Sequence, residues 1–103
     1  MVPMRLGVAG CGRVFETSHL PAILAGNDWH WVAACDPLAG RREWIRATYP
    51  WVEVAHDLEV MLQRRDLDGL LLATPPALHP EQVAAALPYG VPIMVEKPLM
   101  ASV

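Results

Sequence analysis

The chain is poor in cysteine, in positive charge and in long apolar runs, and each shortage removes a class of protein. Two cysteines, Cys11 and Cys35, stand in 103 residues. They have no C-x-x-C spacing and no histidine in metal-ligand register, which argues against a zinc site. Two lone thiols in apolar surroundings read instead as buried and reduced. Eight Lys and Arg face eleven Asp and Glu, for a net charge of −3. A nucleic-acid binder needs a basic face, so no nucleic-acid partner is expected. No apolar run, Leu70-Leu71-Leu72-Ala73 included, approaches membrane-spanning length, so no membrane partner is expected either. Met1 to Gly12 holds one charge, Arg5, and too short an apolar run for a secretory leader; the expected location is the cytoplasm. Linkers, internal repeats and low-complexity segments are missing too.

What is present is apolar and regularly punctuated. Hydrophobic residues make up 53% and charged residues 18%, a balance that excludes disorder and suits strands buried on both faces. The length fits one domain, residues 1–103. Apolar runs predict strands at 4–9, 29–35, 51–55, 67–74 and 91–96. Helical patterns fall between them. The first runs from His19 to Gly26, with Leu20, Ile23 and Leu24 on one face. The second covers 39–49, with Trp44, Ile45 and Tyr49 inward. The third covers 58–64 and is capped by Asp57, whose carboxylate can accept first-turn N–H groups. The fourth starts at His79-Pro80-Glu81, because proline suits the first helical position and an acid suits the dipole there. Strands alternating with helices predict an α/β fold: a Rossmann-type, doubly wound parallel sheet in three layers, strand order 3-2-1-4-5, with right-handed crossovers. Ligands of such sheets lie at the carboxyl ends of the strands.

Candidate site residues collect at those ends. Gly10-Cys11-Gly12 follows the first strand. Gly10 permits a tight turn, Gly12 lets a pyrophosphate approach the backbone, and the N–H groups that follow can bond it. The third glycine of G-x-G-x-x-G would fall at position 15, which holds Phe15. That glycine serves close helix–strand packing, so its loss bears on packing more than on phosphate. The same three residues also suit a turn with no ligand. Asp36 ends the second strand, 24 residues after Gly12, where a carboxylate accepts the hydroxyls of an adenosine ribose; an ordinary Asp-Pro turn is the alternative.

That acid favours NAD over NADP. A 2′-phosphate at about 4 Å would be repelled by roughly 1–4 kcal/mol per charge pair. Arg41 and Arg42 read as a solvated helix face, with an approach to a 2′-phosphate as the alternative. Trp29, Trp31, Trp44 and Trp51 read as packing residues, and His30 and His56 as surface residues. His19 follows the glycine turn and His79 opens the fourth helix, both within reach of a cofactor. Lys97, just past the fifth strand, can enter a substrate cleft and stabilise a developing alkoxide.

The stretches GVAGCGRV…HLPAI, ACDP, HDLEVML, LDGLLLATPPALHPEQVAAAL and GVPIMVEKPLM resemble the N-terminal domain of the glucose–fructose oxidoreductase / inositol dehydrogenase / MocA family. The likeness covers Leu6 to Ala101. It implies that Gly10, Gly12, Arg13 and Val14 bind the pyrophosphate and that Asp36 meets the adenosine ribose. It implies that Thr74, Pro75 and His79 line the cofactor cleft. Glu96, Lys97 and Pro98 are implied beside the nicotinamide, with Lys97 contacting substrate and its bond to Pro98 often cis. The implied activity is hydride transfer between a nicotinamide cofactor and a hydroxyl-bearing carbon of a sugar- or polyol-like small molecule. Family members are much longer, and a second domain supplies most of the substrate pocket and the dimer sheet. The chain is therefore expected to be the cofactor-binding portion of such an enzyme and inactive alone. A free-standing, non-catalytic nucleotide-binding module or an inactive fragment is the alternative. A fifth strand at an open sheet edge predicts self-association.

Overall fold

In the computed structural model, residues 3–95 are described. Five strands form one parallel sheet: β1 (Met4–Ala9), β2 (Trp29–Cys35), β3 (Glu53–Ala55), β4 (Gly69–Leu72) and β5 (Ile93–Val95). Their order is β3-β2-β1-β4-β5, as the alternation of strands and helices predicts. The helices are α1 (Leu20–Ala25), α2 (Ala39–Thr48), α3 (Leu58–Leu62) and α4 (His79–Ala86). Contacts place α1 and α2 on one face of the sheet and α3 and α4 on the other, giving the three expected layers. No helix among the described residues is long and apolar enough to cross a membrane.

The central strands are buried on both faces. Leu6, Val8 and Ala9 of β1, Trp31 to Cys35 of β2 and Leu70 to Leu72 of β4 are all buried. A register shift between Leu6 and Gly7 moves the pairing from Leu6–Trp31 to Gly7–Ala33, so β2 carries one extra residue there. The Asp57 cap forms as expected: its Oδ1 accepts the Val60 N–H at 2.9 Å. Pro80 lies in the first turn of α4, with Glu81 beside it.

Several boundaries differ from the sequence reading. The expected strands at 51–55 and 67–74 shorten to Glu53–Ala55 and Gly69–Leu72, because Trp51, Leu67 and Ala73 are apolar residues of loops rather than ladder residues. The helix after the glycine turn starts earlier than His19. Helical backbone begins at Arg13, widens into a π turn over Phe15–His19 and continues as α1. Widening the turn adds a residue to it and removes the 3.6-residue pattern that would have revealed it. Leu24 is not part of the inner face; it is 48% exposed. Phe15 does not weaken the packing. It is fully buried and meets Trp31 edge-on, with ring centroids 5.1 Å apart, so an aromatic ring fills the place where a glycine would bring helix and strand together.

Candidate functional site

A cavity of 390 Å³ opens at the carboxyl ends of the strands. Its size lies within the range of about 300–1,000 Å³ usual for cofactor sites. It brings together five of the sequence candidates, Gly10, Gly12, Asp36, Thr74 and Pro75. Leu38, His56, Asp57, Leu58, Leu78 and Gln82 also line it. Arg13 and Val14 begin the helix just outside it and are exposed; His79 is half-buried behind it, and His19 is not among its lining residues. Glu96, Lys97 and Pro98 lie outside the described residues.

The two turn glycines have different physical roles. Gly10 has φ +87°, and a Cβ there would sit 2.6 Å from Thr74 Cγ2 and 2.9 Å from the Ala73 backbone. Gly10 is therefore required by the fold, where the turn crosses the end of β4. A Cβ on Gly12 would meet nothing within 4 Å. Gly12 opens into the cavity, and its missing side chain leaves room that the protein itself does not fill. The N–H groups of the first helical turn, beginning at Arg13, have no intrahelical acceptor and lie beside this opening. Space and donors together fit a pyrophosphate.

Asp36 is the one charged side chain buried among the described residues, at 6% exposure. Its Oδ2 accepts the Cys11 N–H and its Oδ1 accepts the Leu38 N–H, each at 2.9 Å. A carboxylate offers about four acceptor positions, so each oxygen keeps a lone pair for a ribose hydroxyl. The carboxylate is thus held in place before any ligand arrives.

Arg41 and Arg42 are not a solvated helix face. Arg41 Nε donates to the Cys11 carbonyl at 2.8 Å, its Nη2 pairs with Glu16 Oε1 at 2.9 Å, and the guanidinium stacks over Trp44 at 4.4 Å. Arg42 Nη1 donates to the Asp36 carbonyl at 2.8 Å. Arg41 reaches back to the glycine turn and Arg42 to the end of β2, which neither helical periodicity nor charge pattern signals. Among the described residues no arginine lines the cavity, whereas two carboxylates, Asp36 and Asp57, do.

The β4 side is held by neutral groups. Thr74 donates its hydroxyl to Gln82 Oε1. His79 Nε2 donates to the Thr74 carbonyl at 2.9 Å. A carbonyl only accepts, so this bond fixes the proton on Nε2. His79 therefore braces the loop that carries Thr74 and Pro75.

The two thiols, Cys11 within the turn and Cys35 at the end of β2, are chemically quiet. Both are free and buried. Burial, with Asp36 and Asp57 adding repulsion, pushes Cys35 up to about 12. Burial pushes Cys11 higher still, helped by Cys35 and Asp36 and opposed by Arg41. Neither is a thiolate near neutral pH, so neither is a nucleophile there.

Comparison with known proteins agrees with this geometry. Residues 4–103 match the family described as "Oxidoreductase family, NAD-binding Rossmann fold" (GFO_IDH_MocA). The inositol 2-dehydrogenase of Mycolicibacterium gilvum is 33% identical over 104 residues; the match covers 100% of this chain and 30% of that protein. The crystal structure of a putative dehydrogenase from Bordetella bronchiseptica RB50 superposes with a TM-score of 0.87 at 35% identity, covering 97% of this chain and 26% of that one. The WlbA dehydrogenase of Bordetella pertussis, solved in complex with NADH and UDP-GlcNAcA, superposes with a TM-score of 0.83 at 32% identity, covering 93% and 29%. The chain thus spans less than a third of the length of each of these relatives. With the strand order, the glycine turn and the acid at the end of β2 in place, the chain belongs to the Gfo/Idh/MocA oxidoreductase family and is its NAD-binding Rossmann domain.

Proposed function

We propose that the cavity holds NAD along the carboxyl ends of the strands, as part of an oxidoreductase acting on a sugar- or polyol-like substrate. The observation that carries this is the opening at Gly12, facing the same cavity as the buried, pre-positioned carboxylate of Asp36. Gly12 and the N–H groups of Arg13 and Val14 take the pyrophosphate. Asp36 takes the adenosine ribose through its remaining lone pairs. Thr74, Pro75 and the His79-braced loop line the nicotinamide half. NAD is preferred to NADP because Asp36 and Asp57 repel a 2′-phosphate while Arg41 and Arg42 are engaged elsewhere.

The bound nicotinamide supplies the hydride donor or acceptor. By the family resemblance we assign Glu96 and Lys97 to the nicotinamide end, where the Lys97 ammonium would meet the substrate hydroxyl and stabilise the charge that develops on its oxygen. The substrate class is taken from relatives such as the inositol 2-dehydrogenase of Mycolicibacterium gilvum, of which this chain matches 30% of the length. The assembly is a homo-oligomer. Met94 and Val95 of β5, the outer strand on that side among the described ones, are 38% and 43% exposed and suit pairing between chains.

Calorimetric titration with NADH and NADPH tests the cofactor assignment. Saturable binding of NADH, at least tenfold tighter than NADPH, is expected; a folded chain that binds neither would contradict it. For catalysis, Lys97→Ala in the full-length enzyme is expected to leave NADH affinity unchanged and to lower kcat.

A further inference from the structure

The glycine turn contains two peptide planes that nothing in the turn itself holds. The first joins Gly10 to Cys11 and the second joins Cys11 to Gly12. A peptide unit is rigid, so its C=O and N–H point in opposite directions, and fixing one fixes the other. The N–H of the first plane is held by Asp36 Oδ2 at 2.9 Å. The C=O of the second is held by Arg41 Nε at 2.8 Å. Gly12, lacking Cβ and with nothing within 4 Å of where one would be, offers no steric resistance to rotation of that second plane. If it rotated, a carbonyl oxygen instead of an N–H would face the opening, and an anion there would be repelled.

We propose that Arg41 is a positioning residue for the pyrophosphate: it locks the Cys11–Gly12 peptide so that the Gly12 N–H faces the cavity. The lock is itself braced. Glu16 Oε1 holds the far end of the guanidinium at 2.9 Å, and the Trp44 ring lies 4.4 Å beneath it. Three elements thereby meet at one side chain: α2 supplies Arg41, the π turn supplies Glu16, and the turn between them supplies the carbonyl. Arg41 touches no phosphate and plays no part in reading the 2′ position.

The proposal rests on the cavity being the dinucleotide cleft, and its test separates the two ideas. The variant is Arg41→Met, which keeps an unbranched apolar side chain beside Trp44 and removes the guanidinium and its donors. Losing a hydrogen bond from a charged donor should weaken NADH and NADPH equally, by about tenfold. Adenosine, which has no phosphate, should bind as before. Without any ligand, the Gly12 amide of the variant should show exchange broadening in its NMR signal that the unmodified chain lacks. An NADH affinity unchanged in the folded variant, an equal loss of adenosine binding, or a loss confined to NADPH would each overturn the lock; the last would make Arg41 a 2′-phosphate ligand. If the unmodified chain bound no dinucleotide, the cofactor reading would fall, and a sharp Gly12 signal in the variant would still decide against the lock. If Arg41→Met does not fold, Glu16→Ala removes the brace and should give the same pattern at smaller amplitude; no change in that variant would count against the proposal.

Discussion

The two faces of the sheet are built from different material. Under α1 and α2 the core includes aromatic rings: Phe15 and Trp31 are buried in it, and with half-buried Tyr49 and Trp44 and exposed Trp51 they form a connected series with ring centroids 5.1–5.7 Å apart. Under α3 and α4 it is aliphatic, with Val32, Leu58, Met61, Leu62, Leu67, Leu70 and Leu72. Ring pairs prefer particular angles, whereas aliphatic chains pack wherever volume allows. The glycine turn stands on the aromatic face, because Cys11 and Phe15 belong to that cluster. Directional packing therefore lies beneath the part of the molecule that has to keep a backbone in register. From the aliphatic face, α4 braces the loop after β4 through Gln82 and His79, which bond the Thr74 hydroxyl and carbonyl.

The comparison is broken most severely by truncating one side chain on each face. Phe15→Ala should cost about 3–5 kcal/mol and Met61→Ala about 2–5 kcal/mol in chemical denaturation. The readout that separates them is NADH affinity under native conditions. It should fall for Phe15→Ala and stay the same for Met61→Ala; equal losses would erase the distinction between the faces.

Next in size is Gly10→Ala. A left-handed φ and contacts under 3 Å with Thr74 and Ala73 should destabilise the chain by about 1–3 kcal/mol, seen as a lowered urea midpoint. Smaller still, Asp57→Ala on the aliphatic side should cost about 1 kcal/mol through loss of the α3 cap, measured the same way.

The last effect concerns the thiols and is absent at neutral pH, emerging only in alkaline solution. The Cys35 thiol rises from 9.0 in the unfolded chain to about 12 when folded. A raised acid favours the folded state only while it remains protonated there and ionises in the unfolded chain to no greater extent. Stability is thus fully present below about pH 9 and declines from there toward pH 12. Cys35→Ala should flatten that decline in pH-dependent denaturation; an unchanged slope would mean the thiol is not protected by burial.

Much of this fold is legible in the chain. The apolar runs and their Gly and Pro boundaries suffice for the order of the sheet, the Asp57 cap and the start of α4. The glycine turn and Asp36 suffice for the site's outline. The remainder depends on contacts distant in sequence. The π turn hides the helix start, because Phe15 looks like a missing glycine until Trp31 is seen against it. Arg41 and Arg42 look like surface charge until the turn is folded back over α2. Leu38 and Leu78 carry no chemical signal of their own and line the cavity only because two loops converge.

Gly10 serves the fold, and Gly12 is proposed to serve the ligand. The direct test is Gly12→Val, with urea denaturation and NADH titration run on the variant and the unmodified chain. The added side chain meets nothing in the protein, so the urea midpoint should hold while NADH binding is lost. A Gly12→Val chain that binds NADH as well as the unmodified one would contradict the claim.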